Sequence, residues 1–177
     1  KNYLEGISLV EDFQRIYPQN ESFSHLLGYV NKPSKKDLNL PYISNMPLLN
    51  IGKQGLEKTF NELLVGQPGN REVEVNSSGR IIREISKKLS TKGKELNLSI
   101  DSKIQKYLTS RIAEHKAGSI VLLDIETGEI LSMVSTPNFN SNLIIQKPNV
   151  DYWNSLLNNS LSPLTNRSIQ GLYAPGS

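Results

Sequence analysis

Residues 117–137 read AGSIVLLDIETGEILSMVSTP and carry a clear secondary-structure pattern. Residues 119–124 and 129–135 are two runs rich in β-branched and apolar side chains, which is typical of strands. The connection between them contains Glu126, Thr127 and Gly128, a polar sequence with the glycine that tight turns favour. The stretch therefore predicts an antiparallel β-hairpin.

A helix is predicted immediately before this hairpin. Either Asp101 or Ser102 can serve as its amino-terminal cap, because both side chains can accept a hydrogen bond from a free backbone N–H group. Its apolar residues recur at helical spacing, at Ile104, Leu108 and Ile112. We expect this helix to end near Gly118. After the hairpin, Asp151 is expected to begin a short helix that carries Trp153, Leu156 and Leu157.

The first half of the chain contains another helix and another hairpin. Between Gly55 and Gly66, four apolar residues fall on one face of a helix: Leu56, Phe60, Leu63 and Leu64. Residues 71–76 and 81–86 alternate in character around a Ser-Ser-Gly turn at 77–79, which predicts a hairpin. The combined order of helices and hairpins indicates an α+β fold.

The polar run at residues 87–94 is the best candidate for a domain boundary, although it also suits a loop inside one domain. On the first interpretation, residues 1–94 form one domain and residues 95–177 begin a second. A chain of 177 residues is long enough for one or two small domains.

Composition excludes several classes of function. The net charge of +3 is spread along the chain, and no aromatic residues interleave with the basic ones, so nucleic-acid binding is not expected. The absence of cysteine excludes disulfides, iron–sulfur clusters and thiolate zinc sites. No apolar run approaches the length of a membrane-spanning helix, and the first residues do not form a signal peptide.

The most informative sequence for function is NRSIQGLYAPGS at residues 166–177. Pro175 and Gly176 can turn the chain sharply into a helix that begins near Ser177. The Ser177 hydroxyl would then lie at a helix amino terminus, where backbone N–H groups favour developing negative charge. Serine acyl-transferases of the Ser-x-x-Lys type place their nucleophile in this way, and the lysine would here occupy position 180.

The tail resembles the approach to the active serine in class B penicillin-binding proteins. The matching positions are Asn166, Arg167, Gln170, Gly171, Tyr173, Pro175, Gly176 and Ser177. At ~5% for each position, such agreement has odds on the order of 10⁻¹⁰ per starting point, so chance does not explain it. Further segments are similar to the family in the family's order, at residues 15–18, 25–30, 55–58, 66–69, 72–76, 79–80, 96–105 and 117–137. Those before residue 94 are similar to the pedestal domain of the elongation-type, or rod-shape, members.

The resemblance implies a peptidoglycan D,D-transpeptidase with Ser177 as its catalytic nucleophile. It implies stem peptides ending in D-Ala-D-Ala as substrates, acylation by β-lactams, and no metal or cofactor. It places residues 1–94 in the pedestal and residues 95–177 at the start of the transpeptidase domain. It further implies a single membrane anchor, a periplasmic location, and a membrane glycosyltransferase of the elongation machinery as partner. We therefore expect this chain to be an interior piece of a longer membrane-anchored protein.

Two family motifs, Ser-x-Asn and Lys-Thr/Ser-Gly, are absent from residues 1–177. We therefore expect the chain alone to have no transpeptidase activity and to form no covalent penicillin adduct. A second interpretation is that the pedestal is a non-catalytic module that docks on the glycosyltransferase and regulates it. A third, a β-lactam sensor or β-lactamase, is disfavoured because those proteins lack the pedestal segments.

Other polar and aromatic residues are assigned structural roles. His25 is expected to make a structural hydrogen bond and His115 to lie on the surface at the end of a helix. Asp101 is interpreted as a helix cap, Asp124 and Glu126 as turn residues, and Glu72 and Glu74 as solvated side chains of a hairpin. For Tyr173 and Trp153, core packing is favoured over a substrate groove.

Overall fold

A computed structural model describes residues 14–37, 43, 49–145 and 149–173. Within these residues the chain forms short helices and antiparallel strand pairs, which confirms the predicted α+β class. In chain order the elements are α1 (Asn20–Leu27), β1 (Val30–Asn31), β2 (Ile51–Gly52), α2 (Gly55–Thr59), α3 (Asn61–Val65), β3 (Asn70–Val75), β4 (Ile81–Lys88), α4 (Ser102–Ile112), β5 (Gly118–Leu123), β6 (Ile130–Thr136), α5 (Ser141–Ile145), α6 (Val150–Leu157) and α7 (Arg167–Gln170).

The β5–β6 hairpin forms as predicted, with Gly118 opposite Thr136 at one end of the ladder. Its turn is closed by Asp124, whose carboxylate accepts hydrogen bonds from the backbone N–H groups of Glu126 and Thr127 at 2.8 and 3.2 Å. Gly128 adopts φ +74°, a conformation that residues with a Cβ rarely reach. The turn prediction for Asp124 is therefore confirmed.

Helix α4 packs on β6 and begins at the predicted cap. The Asp101 carboxylate accepts from Lys103 N and Ile104 N at 2.8 and 2.9 Å, which leaves Ser102 as the first helical residue. The helix ends at Ile112, earlier than predicted. Of the predicted apolar face only Ile112 is buried, and the most deeply buried side chain of α4 is Gln105.

The region between Gly55 and Gly66 contains two helices, where the sequence predicted one. The break lies at Phe60, which ends α2 and precedes α3 with non-helical backbone angles. The predicted apolar face is also wrong, because the buried side chains are Glu57 and Asn61. Asn61 Oδ1 accepts from Gly52 N at 2.8 Å, so a polar contact to β2 orients α3.

A core of aromatic and aliphatic side chains joins the two predicted domains. Phe139, Ile144 and Leu156 form its buried centre, and Tyr29 from the first half of the chain packs against it. The Tyr29 ring stands edge-on to Phe139 at a centroid distance of 6.1 Å. The segment that contains α1 and β1, residues 15–31, is called the α1 segment below. It packs against the body formed by α4, β6 and the chain that follows.

The α1 segment is also tied to α5 by polar contacts. Asn142 Oδ1 accepts from Tyr17 N and its Nδ2 donates to Tyr17 O, both at 3.0 Å. The Ser141 hydroxyl donates to Gly28 O at 2.9 Å. These bonds provide hydrogen-bond partners for buried backbone groups of the α1 segment. Burial of such groups without a partner would cost free energy.

Strands β3 and β4 form the predicted hairpin, called the outer hairpin below (residues 70–88). Its turn is held by Asn76, whose side chain accepts from Ser78 N and Arg80 N at 3.0 and 2.9 Å. Every residue of β4 is exposed. The polar run 87–94 is attached to the segment before β3, because Thr91 and Gln67 exchange two backbone hydrogen bonds of 3.0 Å.

No helix within the described ranges combines the length and the apolar character needed to cross a membrane.

Candidate functional site

The last described helix before Ser177 is α7, and its start is fixed by Asn166. The side chain of Asn166 is buried, and its Oδ1 accepts from Ser168 N at 3.1 Å as a helix cap. The Asn166 backbone N–H donates to Gln170 Oε1 at 3.0 Å. This reciprocal arrangement satisfies two amide groups at the helix start and holds the turn in one conformation.

Two serine hydroxyls fasten α7 to β6. Ser135 Oγ accepts from Arg167 N at 3.0 Å and donates to Thr165 O at 3.4 Å. Ser168 Oγ donates to Val134 O at 2.9 Å. Since β6 is the more buried strand of its hairpin, these bonds set the position of α7 relative to the sheet.

The loop before α7 is closed by the Arg167 side chain. Its guanidinium group donates to the carbonyl oxygens of Leu161 and Ser162. Ser162 has φ +43°, an uncommon conformation for a serine. The guanidinium contacts lie directly on this strained turn and keep the loop compact.

Helix α1 contacts the same loop through His25. His25 Nε2 lies 2.7 Å from the carbonyl oxygen of Pro163, and a carbonyl oxygen can only accept, so Nε2 carries the proton. Asn166 Nδ2 donates to the His25 backbone oxygen at 3.4 Å. The prediction that His25 makes a structural hydrogen bond is confirmed.

The environment of His25 favours the neutral form of its imidazole, although its hydrogen bonds to the backbone of Pro163 and Ser135 act in the opposite direction. Burial of the ring lowers the pKa of His25 below its ordinary value, and the positive charge of Arg167 lowers it further. The ring also stands edge-on to Phe139 at a centroid distance of 5.2 Å. A neutral imidazole with one N–H bonded to a carbonyl acts here as a fixed hydrogen-bond donor.

Gln105 joins α1, α4 and β6, and sequence reasoning missed this role. Its side chain is fully buried. The Nε2 group donates to Ser22 O at 2.7 Å and Met133 O at 2.8 Å. Its Oε1 accepts from Ser132 Oγ and Met133 N at 2.7 and 2.9 Å. The signals in the sequence were a polar residue next to the apolar face of a predicted helix and its place at the end of the family-like segment 96–105.

The predicted nucleophile, Ser177, lies outside the described residues, as do Ala174, Pro175 and Gly176. Ser177 therefore stays a prediction. Tyr173 is 66% exposed, so the expectation that it packs in the core is wrong. Trp153 does pack against the core formed by Phe139 and its neighbours, which confirms the expectation for that residue.

The remaining polar candidates have structural surroundings. His115 is exposed beyond the end of α4, as predicted. Glu72 accepts from Ser86 Oγ at 3.0 Å, and Glu74 pairs across the outer hairpin with Arg83 at 2.5 Å. Backbone N–H groups lower the pKa of Asp101 and of Asp124, because both carboxylates accept from a turn of main chain. The described part of the chain contains no group of three side chains that could hold a metal ion.

Comparison with known proteins identifies the family of this arrangement. Residues 1–98 match the family described as penicillin-binding protein dimerisation domain, and residues 118–177 match the penicillin-binding protein transpeptidase domain. The chain belongs to the class B penicillin-binding proteins. The segment that carries α7 and the predicted nucleophile falls in the second match, and the α1 segment falls in the first.

Proteins similar to the chain include elongation-type members of this family. The chain is 38% identical over 177 residues to the peptidoglycan D,D-transpeptidase MrdA of Acinetobacter baumannii. This alignment covers 97% of the chain and 26% of the relative. The chain thus spans about a quarter of the length of that relative.

Two solved structures are similar to the chain. One is penicillin-binding protein 2 of Pseudomonas aeruginosa in complex with WCK 5153, with a TM-score of 0.76 and 31% identity over 94% of the chain and 33% of that structure. The other is the complex of penicillin-binding protein 2 with MreC from Helicobacter pylori, with a TM-score of 0.73 and 32% identity over 86% and 28%. The resemblance to the elongation-type members is confirmed.

Proposed function

We propose that the chain is part of a peptidoglycan D,D-transpeptidase in which Ser177 is the nucleophile. The observation that carries this proposal is the match of residues 118–177 to the transpeptidase family. The contacts of Asn166, Ser135 and Ser168 support it, because they fix the segment that leads toward Ser177 on a buried strand. A nucleophile needs such a fixed approach to meet its substrate in one geometry.

In the proposed reaction, the Ser177 hydroxyl attacks the carbonyl carbon of the penultimate D-Ala of a stem peptide. The bond between this carbon and the nitrogen of the terminal D-Ala breaks, and an ester to Ser177 forms. The hydroxyl proton passes to a base and from there to the leaving amine. An amine of a second stem peptide then attacks the ester, loses a proton, and returns Ser177 to its hydroxyl form.

A serine hydroxyl is a weak nucleophile at neutral pH, so the reaction needs a base within hydrogen-bond reach. We assign this role to a lysine at the third position after Ser177, in keeping with the Ser-x-x-Lys pattern. The backbone N–H of Ser177 is one donor to the oxyanion of the tetrahedral intermediate. A β-lactam would acylate the same oxygen, with its ring amide as the broken bond.

We further propose that residues 1–94 form the non-catalytic pedestal and residues 95–177 begin the transpeptidase domain. The family matches to residues 1–98 and 118–177 support this division. A single membrane anchor would hold the protein at the inner membrane with both domains on the periplasmic side, where peptidoglycan is cross-linked.

The test is labelling of the natural polypeptide that contains residues 1–177 with a fluorescent penicillin. The proposal predicts a covalent adduct that is lost in Ser177→Ala and kept in Ser168→Thr, which retains the hydroxyl that donates to Val134 O. Residues 1–177 alone should give no stable adduct, since they lack Ser-x-Asn and Lys-Thr/Ser-Gly. Undiminished labelling of the Ser177→Ala variant would exclude Ser177 as the nucleophile.

A second candidate function, docking of the pedestal on a membrane glycosyltransferase, is favoured by the outer hairpin. Its apolar side chains Val75, Ile81, Ile82 and Ile85 are all at least 50% exposed. Several large apolar side chains exposed within one hairpin suit an interaction surface. A pull-down from membranes with the wild-type protein and with Ile82→Ser tests the proposal. Loss of the glycosyltransferase in the variant supports docking. Equal recovery of the glycosyltransferase from both excludes this surface, and recovery of an MreC-like partner instead would assign it to a different protein.

A further inference from the structure

We propose that His25, which lies in the predicted pedestal, is a positioning residue for acylation at Ser177. This inference rests on the proposed function. Through its imidazole and its backbone oxygen, His25 contacts the loop before α7 at two points, Pro163 and Asn166. One residue of α1 thereby contacts both ends of the short stretch that leads into α7, the last described helix before Ser177.

The first contact fixes the loop. His25 Nε2 donates to Pro163 O at 2.7 Å, and the residue is only 5% exposed. Phe139 stands edge-on to the imidazole, so the ring is held in its plane as well as at its tip. The donation from His25 therefore constrains the direction of the Pro163 carbonyl group.

The second contact connects the loop to the helix. Asn166 Nδ2 donates to His25 O at 3.4 Å, while Asn166 Oδ1 caps α7 through Ser168 N at 3.1 Å. The amide group of Asn166 thus bridges α1 and α7. A shift of His25 would move the cap, and the helix that follows the cap would move with it.

The surroundings of the imidazole suit a donor rather than a proton carrier. The ring faces Pro163 from the loop, Ser135 from β6, Phe139 and the charged guanidinium of Arg167 from α7. Burial and the positive charge of Arg167 oppose protonation of the ring, and the Nε2–H group of His25 is held by Pro163 O. His25 therefore acts on the reaction through the position of the chain.

The experiment compares variants of the natural polypeptide that contains residues 1–177. His25→Ala removes the donor to Pro163 O, whereas His25→Gln places an amide nitrogen near the position of Nε2. His115→Gln is the matched control, because His115 is exposed beyond the end of α4. Acylation by a fluorescent penicillin is followed at several concentrations, which separates the acylation rate constant from the half-saturating concentration.

We expect His25→Ala to lower the acylation rate constant about tenfold or more, since small misplacements of a reacting group have effects of this size. The half-saturating concentration should change little, and His25→Gln should recover most of the rate. His115→Gln should behave as the wild type. An unchanged rate constant in a folded His25→Ala variant would overturn the inference.

A second variant decides the matter if His25→Ala fails to fold. Asn166→Asp keeps the oxygen that caps α7 and removes the N–H that donates to His25 O. The inference predicts slower acylation in this variant, and acylation at the wild-type rate would contradict it. If the wild type and His115→Gln themselves form no adduct, the proposed function fails, independently of the role of His25.

Discussion

The α1 segment and the outer hairpin both lie in the predicted pedestal, yet their surroundings are opposite. The α1 segment contributes buried side chains, Tyr17, Phe23 and Val30, to the body that carries α7. The outer hairpin exposes every residue of β4 to solvent. One part of the predicted pedestal therefore packs against the predicted transpeptidase half, and the other is exposed to solvent.

The largest contrast should appear at two glutamines. Gln105 makes four hydrogen bonds where α1 meets β6. Its replacement by alanine leaves the backbone and hydroxyl partners without a hydrogen bond in a buried site. We expect Gln105→Ala to lower the free energy of unfolding by about 4 kcal/mol. Gln67→Ala, at an exposed side chain beside the outer hairpin, should have little effect. Urea denaturation of both variants checks this, and equal losses would contradict the contrast.

Two isoleucines sharpen the comparison for apolar packing. Ile112 on α4 is 6% exposed, whereas Ile82 on the outer hairpin is 61% exposed. Ile112→Ala should cost about 3 kcal/mol, because it removes buried methyl groups and leaves a cavity. Ile82→Ala should stay within about 0.5 kcal/mol, as surface substitutions do. Thermal unfolding measures both, and a large loss in Ile82→Ala would show that the outer hairpin is packed in solution.

Two arginine–glutamate pairs test the same contrast for charge. Glu57 is buried and bonds to Arg15 at 2.7 Å and to the Tyr17 hydroxyl at 3.3 Å, whereas Glu84 bonds to Arg71 on the exposed face of the outer hairpin. We expect Glu57→Ala to cost about 2 kcal/mol, since it leaves a tyrosine hydroxyl without its acceptor. Glu84→Ala should cost about 0.5 kcal/mol or less. Chemical denaturation at low and at moderate salt measures the free energy of unfolding of both variants. Similar losses of stability in the two variants would contradict the expected difference between the two pairs.

The smallest expected effect is a pH dependence from His25. Burial lowers its pKa in the folded state below the ordinary value of 6.5, so the unfolded chain binds more protons as the pH falls. The stability from the neutral ring is fully present above about pH 6.5 and is lost as the pH falls toward the folded pKa. Arg167 is the charged group that faces the ring.

The measurement is the urea midpoint at pH 7.5 and at pH 5.5. The wild type and His115→Gln should lose more stability between these values than His25→Gln, which has no group to titrate at that site. An equal loss in His25→Gln would assign the acid effect to other groups.

The sequence predicted the parts of the fold that local chemistry determines. The β5–β6 turn follows from Asp124 and Gly128, and the start of α4 follows from the Asp101 carboxylate, because their hydrogen bonds lie within a few residues. The family could also be predicted from the sequence, because the motif at residues 166–177 is specific. The match of residues 118–177 to the transpeptidase family confirmed this prediction.

The errors arose where distant partners decide burial. The face of α2 and α3 was predicted from its leucines, but Glu57 and Asn61 are buried because Arg15, Tyr17 and Gly52 supply partners from elsewhere in the chain. Gln105 was missed for the same reason. The position of Ser177 in space is still a prediction, although the helix before it is described.

Hydrogen exchange of backbone amides tests most directly whether the α1 segment belongs to the body that holds α7. The amide of Gly28, bonded to Ser24 O, should exchange as slowly as those of Met133 and Gln105. The amides of β3 and β4 should exchange much faster, because local opening of an exposed hairpin needs little energy. Fast exchange of α1 together with the outer hairpin, beside a protected β6, would contradict the account.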